Sequence, residues 1–145
     1  MPTFHEGVSM LKELLLIHPL GQAAAFLFGA FNLVTGWTRK CFILPLHINL
    51  GVMFYVLTFI GAVMGVLIAR MAANDGMNLA SPFHGFIAIF LLCIVICAMV
   101  SGFFLLGKKG SRTWVHAMHR YCNLVVVALF AVQAVSGLWV LVTVL

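Results

Sequence analysis

The sequence predicts an all-α integral membrane protein, a four-helix bundle running antiparallel, up and down. Three observations carry that fold class. Of the 145 residues, 64% are hydrophobic and 8% are charged, where a soluble domain carries about 25% charged residues. Four stretches hold no charged side chain: 14–38, 41–69, 76–107 and 121–145. Each is long enough for one helical crossing, which needs roughly 20 apolar residues, and too short for two. Basic residues also gather on one side. Arg39 and Lys40 follow the first stretch, and Lys108, Lys109, Arg112 and Arg120 lie between the third and the fourth. The other side has only Lys12 and Arg70, with all three acids, Glu6, Glu13 and Asp75. Excess Lys and Arg in short loops marks the cytoplasmic face. Both termini are therefore expected on the non-cytoplasmic side. The net charge of +5 is a topology signal and gives no reason to expect a nucleic-acid partner.

The first helix is expected over about 18–38. Residues 1–13 carry Glu6, Lys12 and Glu13 without a basic lead-in, so they read as a tail and not as a cleaved signal. Arg39-Lys40 anchors the helix end. A second helix is expected over about 45–70, a third over about 83–107 and a fourth over about 115–143. Between the second and third, Asn74-Asp75-Gly76 supplies turn residues. No residues are left for a soluble domain, so 1–145 is expected to be a single unit. Cys93 and Cys97 read as small apolar fillers. Cys41 and Cys122 fall near the cytoplasmic ends, where thiols stay reduced. There is no C-x-x-C-H, so covalent c-type haem attachment is not expected.

The histidines follow the helices. His5 lies in the tail. His18 opens the first helix (HPLGQAAAF), His47 the second (LHINLGV), His84 the third (SPFHGFIAI), and His119 or His116 the fourth. A single such histidine is as well explained by the membrane interface. Four in register are not, because ionisable residues inside membranes are rare and mark function. Antiparallel helices start alternately at the two faces. His18 and His84 then share the outer level, and His47 and His119 the inner one. Two imidazoles facing across a bundle core suit a metal with two axial positions, and haem iron takes that arrangement. The expected fold thus has haems in the bundle core.

Two further positions share each histidine's face. Four residues on stand Gln22, Gly51, Ala88 and Asn123, and fourteen residues on stand Asn32, Gly61, Ala98 and Gln133. The small residues could clear room for a porphyrin, and Asn32 and Gln133 are carried as candidate cofactor-binding residues. Alternatively, Gly61-x-x-x-Gly65 and Ala98 allow close helix contact, and the four amides bridge helices one and four. Phe54, Tyr55, Phe86 and Phe90 read as packing residues.

The ordered set resembles the cytochrome b561 family. Leu46-His47 followed by Leu50-Gly51, His84 followed by Lys108-Lys109, and His119 followed by Gln133 and Gly137-Leu138 stand in that family's register over about residues 15–140. The resemblance implies four haem-ligating histidines, His18, His47, His84 and His119, and two non-covalent haem b groups with bis-histidine iron. It selects His119 over His116. Arg120 reads as a cytoplasmic anchor, with pairing of a haem propionate as the alternative. Asn123 stands where the family usually has glycine, and His18-Pro19 replaces the usual His-Gly. Two further helices and a DOMON domain are lacking, so ascorbate is not carried over as donor. The implied function is transmembrane electron transfer in a bacterial cytoplasmic membrane, between a quinol or a partner redox protein and an acceptor. An oxidoreductase role, as a quinol- or ferric-reductase component, stays open, as does assembly as a homodimer or as a subunit of a complex. The alternatives are the quinol-reactive b-type anchor subunit of a larger oxidoreductase and a metal-ion transporter. The transporter is disfavoured because no carboxylate falls inside any expected helix.

Overall fold

The structure, a computed structural model, describes residues 4–39, 42–76, 81–107 and 113–144, with side chains from Leu11 onward except those of Lys12 and Val144. Expectations for Lys40, Cys41, Lys108, Lys109 and Arg112, and for the side chains of His5, Glu6 and Lys12, lie outside the described residues. Among those residues all regular structure is helical: α1 (Phe4–Thr38), α2 (Leu44–Asn74), α3 (Pro82–Leu106) and α4 (Thr113–Val144). All four are long and apolar enough to cross a membrane, α1 through its stretch Glu13–Thr38. In hydrocarbon every backbone N–H and C=O must be satisfied within the protein, and a helix does this inside one segment.

The first helix starts well before the expected residue 18. Glu6, Lys12 and Glu13 suggested a tail, yet Leu11, Leu14 and Leu15 fall at helical spacing. They pack with Ile68, Met71 and Ala72 of α2, whose own last turns extend to Asn74. Each extension buries the other. Pro19 sits inside α1, where it removes one backbone donor.

Local signals set the remaining ends. Arg39 has φ 53°, a left-handed residue just past the last turn, which commonly stops a helix. At the end of α2, the Asp75 N–H reaches the Met71 and Ala72 carbonyls, and Gly76 takes φ 75°, a conformation that favours glycine. Ser81 caps α3 by accepting a hydrogen bond from the His84 N–H at 3.4 Å, with Pro82 in the first turn. That cap places His84 one turn into the helix.

The interior is marked by a layer of buried apolar residues: Ala25, Phe54, Leu91, Val95, Val126 and Phe130. Ala25, Phe54, Leu91 and Val126 each stand seven residues after His18, His47, His84 and His119, two turns along the same face. The Phe54 ring packs over Gly29, where an added Cβ would lie 2.8 Å from it. Phe130 meets Phe54 at 5.9 Å and Phe26 at 6.0 Å between ring centres. Outward-facing side chains such as Leu20, Phe86, Val135 and Trp139 are large, apolar and exposed, as a hydrocarbon surrounding favours.

Candidate functional site

The histidines that open the helices come together in twos. His47 and His119 face each other with ring centroids 6.2 Å apart and planes at 74°. His18 and His84 lie within electrostatic reach of one another. On α4 it is His119 whose ring faces His47, while His116 is exposed. The spacing of the first pair has a chemical meaning. Metal–imidazole bonds of about 2 Å, plus about 1.1 Å from nitrogen to ring centre, would put two imidazoles on opposite sides of one metal about 6.2 Å apart.

Each ring rests on a glycine of the neighbouring helix. An added Cβ would lie 3.0 Å from His47 at Gly36, 3.5 Å from His18 at Gly65, 3.2 Å from His119 at Gly102 and 3.0 Å from His84 at Gly137. These glycines stand in one register, because every one lies eighteen residues after its own helix's histidine. Eighteen residues are five turns, so histidine and glycine share a face about 27 Å apart. Each helix thus offers a ligand at one level and a seat for its neighbour's ligand at the other. Sequence reasoning missed this frame. Gly65 entered it only as a helix-contact residue and Gly137 only through the family register. The signal that would have found it is His-x17-Gly, present in all four helices.

Hydrogen bonds fix two of the tautomers. The Ser136 hydroxyl donates to the Gln133 carbonyl at 3.0 Å, so its oxygen accepts from His84 Nδ1 at 2.9 Å. The Ser101 hydroxyl donates to the Ala98 carbonyl at 2.7 Å. His119 Nδ1 lies 3.1 Å from both that carbonyl and Ser101 Oγ, and a carbonyl can only accept. Both imidazoles therefore carry their proton on Nδ1, which leaves Nε2 with the lone pair a metal needs. Asn123 lies 3.4 Å from His119 Nδ1, but its amide has a better acceptor in the His119 carbonyl at 2.7 Å.

The amides divide by helix. Those of α1 turn toward α2 and do not bridge to α4. Gln22 packs against Gly61 and donates to the Leu57 carbonyl at 3.1 Å. Asn32 lies against Gly51, whose added Cβ would be 3.2 Å from its nitrogen. The small residues of α2 thus receive side chains from α1. On α4, Asn123 accepts from the Tyr55 hydroxyl at 3.1 Å, and Gln133 donates to His84 Nε2 at 3.0 Å. The Arg120 guanidinium stacks over Trp37 at 3.3 Å, and Trp37 meets Tyr121 edge-on.

Four buried polar atoms among the described residues lack a partner: His18 Nδ1, Gln133 Oε1, Asn32 Oδ1 and His47 Nδ1. The Asn32 backbone lies beside the His47 ring, but His47 Nδ1 makes no hydrogen bond. Two of these atoms belong to each histidine level. Buried polar atoms are nearly always paired, and these four stand out against that rule. Beside His84 a groove of about 250 Å³ opens between α3 and α4, lined by Ser81, Phe83, Val132, Val135, Ser136 and Trp139. Among the described residues no group of three or more His, Cys, Asp or Glu is gathered for a metal ion.

The fold and site define a chain of four helices long and apolar enough to cross a membrane, with His47 facing His119 and His18 near His84. Compared with family models, curated proteins and solved structures, the chain matches none of them.

Proposed function

We propose that this chain is a dihaem b-type cytochrome, similar to the cytochrome b561 family, whose four antiparallel helices carry electrons across a membrane. The donor or acceptor within the bilayer would be a quinol, with a redox partner protein at one face. The observation that carries the reading is the His47–His119 pair, held at 6.2 Å on two glycines, a separation at which both rings could bind one metal. The antiparallel order is supported by the contacts of His18 with Gly65 and of Gly36 with His47, which set the start of each helix beside the end of the other. The basic residues of 108–112, with Arg39 and Lys40, favour a cytoplasmic location for the His47–His119 end. Both termini then lie on the non-cytoplasmic side of a bacterial inner membrane.

Haem held at these levels supplies a one-electron iron couple. The chain's own residues do the rest. His47 and His119 would hold one group and His18 and His84 the other, with Nε2 left as the donor atom on His119 and His84. The four glycines keep the rings upright and close to the neighbouring backbone. Phe54, Phe130 and Val126 fill the space between levels with apolar side chains and keep water out. At the second level Gln133 must yield Nε2 of His84, and its partnerless Oε1 leaves it loosely held there. A bare-ion site needs three or four ligands, whereas the described residues gather histidines only in pairs.

The test is a reduced-minus-oxidised spectrum of the purified protein with haem counted per chain. The reading expects a b-type spectrum and two haems per chain, both extractable by acid acetone. A pyridine haemochrome ratio near zero or one contradicts it, as does haem that resists extraction.

A further inference from the structure

The two halves of the chain share one frame and differ at one position within it. The residues just before the four seat glycines are Thr35, Met64, Ser101 and Ser136. Ser101 and Ser136 each donate to the carbonyl three residues back, at 2.7 and 3.0 Å. A hydroxyl has one proton, so each oxygen remains as an acceptor, and each meets a histidine Nδ1, His119 at 3.1 Å and His84 at 2.9 Å. Thr35 also donates back, to the Asn32 and Phe31 carbonyls, yet His47 Nδ1 has no bonded partner. Met64 offers no hydroxyl, and His18 Nδ1 is likewise bare. Both histidines with a serine partner therefore come from α3 and α4, and both without one from α1 and α2. Each level receives one of each kind.

We propose that Ser136 and Ser101 are positioning residues for the two levels. Each hydroxyl accepts the Nδ1 proton of its histidine, holds that tautomer, and keeps the Nε2 lone pair directed at the metal side. The inference rests on the dihaem reading. A hydrogen bond from the far ring nitrogen makes an imidazole a stronger donor, and a stronger axial donor favours ferric over ferrous iron. The two anchors differ in weight. His84 Nδ1 has Ser136 alone among the described residues, whereas His119 Nδ1 keeps the Ala98 carbonyl at 3.1 Å if Ser101 is lost.

Redox titration of the purified holoprotein tests this with Ser136→Ala, Ser101→Ala and Ser136→Thr. Ser136→Ala is expected to move the ferric–ferrous equilibrium of one haem about tenfold toward ferrous, about 59 mV for one electron. The affected component should be the one that His84→Ala removes. Ser101→Ala should move the other component by less, and Ser136→Thr should restore the wild-type value. A second readout is ¹⁵N NMR of histidine-labelled protein, reduced with dithionite. One slowly exchanging Nδ1–H signal should become fast in Ser136→Ala. Two haems with unchanged potentials and an unchanged Nδ1–H signal would overturn the anchor while leaving the dihaem reading intact. Equal shifts of both haems would overturn it too, by showing a general rearrangement. A wild-type protein without haem would remove the dihaem reading instead, and the His84 Nδ1–H signal of that protein would still decide whether Ser136 holds it.

Discussion

The His47–His119 level and the His18–His84 level are built from the same parts, and their differences separate frame from tuning. Each has two histidines, two seat glycines and one serine. At the first level the rings face each other at 6.2 Å, and Asn32 is tucked against Gly51. At the second, Gln133 occupies Nε2 of His84, and an apolar groove lies alongside. The frame fixes where the ligands stand. The accessory amides and hydroxyls make the two levels chemically unequal.

The largest expected effect comes from breaking one level's frame. In Gly102→Leu the new side chain starts 3.2 Å from the His119 ring, within a packed interior where overpacking costs about 1–3 kcal/mol. Haem content should fall from two per chain to one, with the surviving component that of the His18–His84 level. Gly137→Leu should do the reverse. Gly21→Ala, which meets nothing within 4 Å, should leave both. If Gly102→Leu binds two haems normally, the seat glycines are ordinary packing.

A smaller effect is expected from removing what distinguishes the second level. Gln133→Leu frees Nε2 of His84 from one hydrogen bond, worth about 1 kcal/mol net. Haem at that level should be held about fivefold more tightly in transfer to apomyoglobin, and the other haem should be unchanged. Loss of that haem in Gln133→Leu would mean the amide holds the group and does not compete with it.

The smallest effects should lie at the exposed end of the first level. Arg120 spends its charge on Trp37, an exposed cation–π contact worth about 0.5–1 kcal/mol. Arg120→Ala should lower the thermal midpoint slightly and leave both potentials in place. His116→Ala should retain both haems. A potential shift of one haem in Arg120→Ala would show that the guanidinium reaches that group after all.

Much of this was legible in the sequence because charge is so scarce. Breaks between apolar runs gave the four helices, and the only recurrent polar residue at their starts gave the histidines. The start of α1 was not legible. Glu6, Lys12 and Glu13 dominate the composition there, and only packing against Ile68 and Ala72 reveals that Leu11 is buried. The glycine seats were hidden for a different reason: in an apolar helix a glycine reads as a contact residue, and its role appears only with the neighbour's ring beside it. Small residues at Gly51 and Gly61 suggested clearance for a porphyrin, but the amides of Asn32 and Gln22 fill those places. Spacing along one helix cannot say which neighbour a side chain will meet. For the same reason Arg120 could be placed near the first level but not stacked on Trp37.

The pairing of histidines across helices is the central claim, and potentiometric titration of four single variants tests it most directly. His47→Ala and His119→Ala should each lose one haem and leave the same remaining component. His18→Ala and His84→Ala should leave the other. If His18→Ala and His47→Ala instead leave the same component, the histidines do not pair as His18 with His84 and His47 with His119, and the two-level account falls.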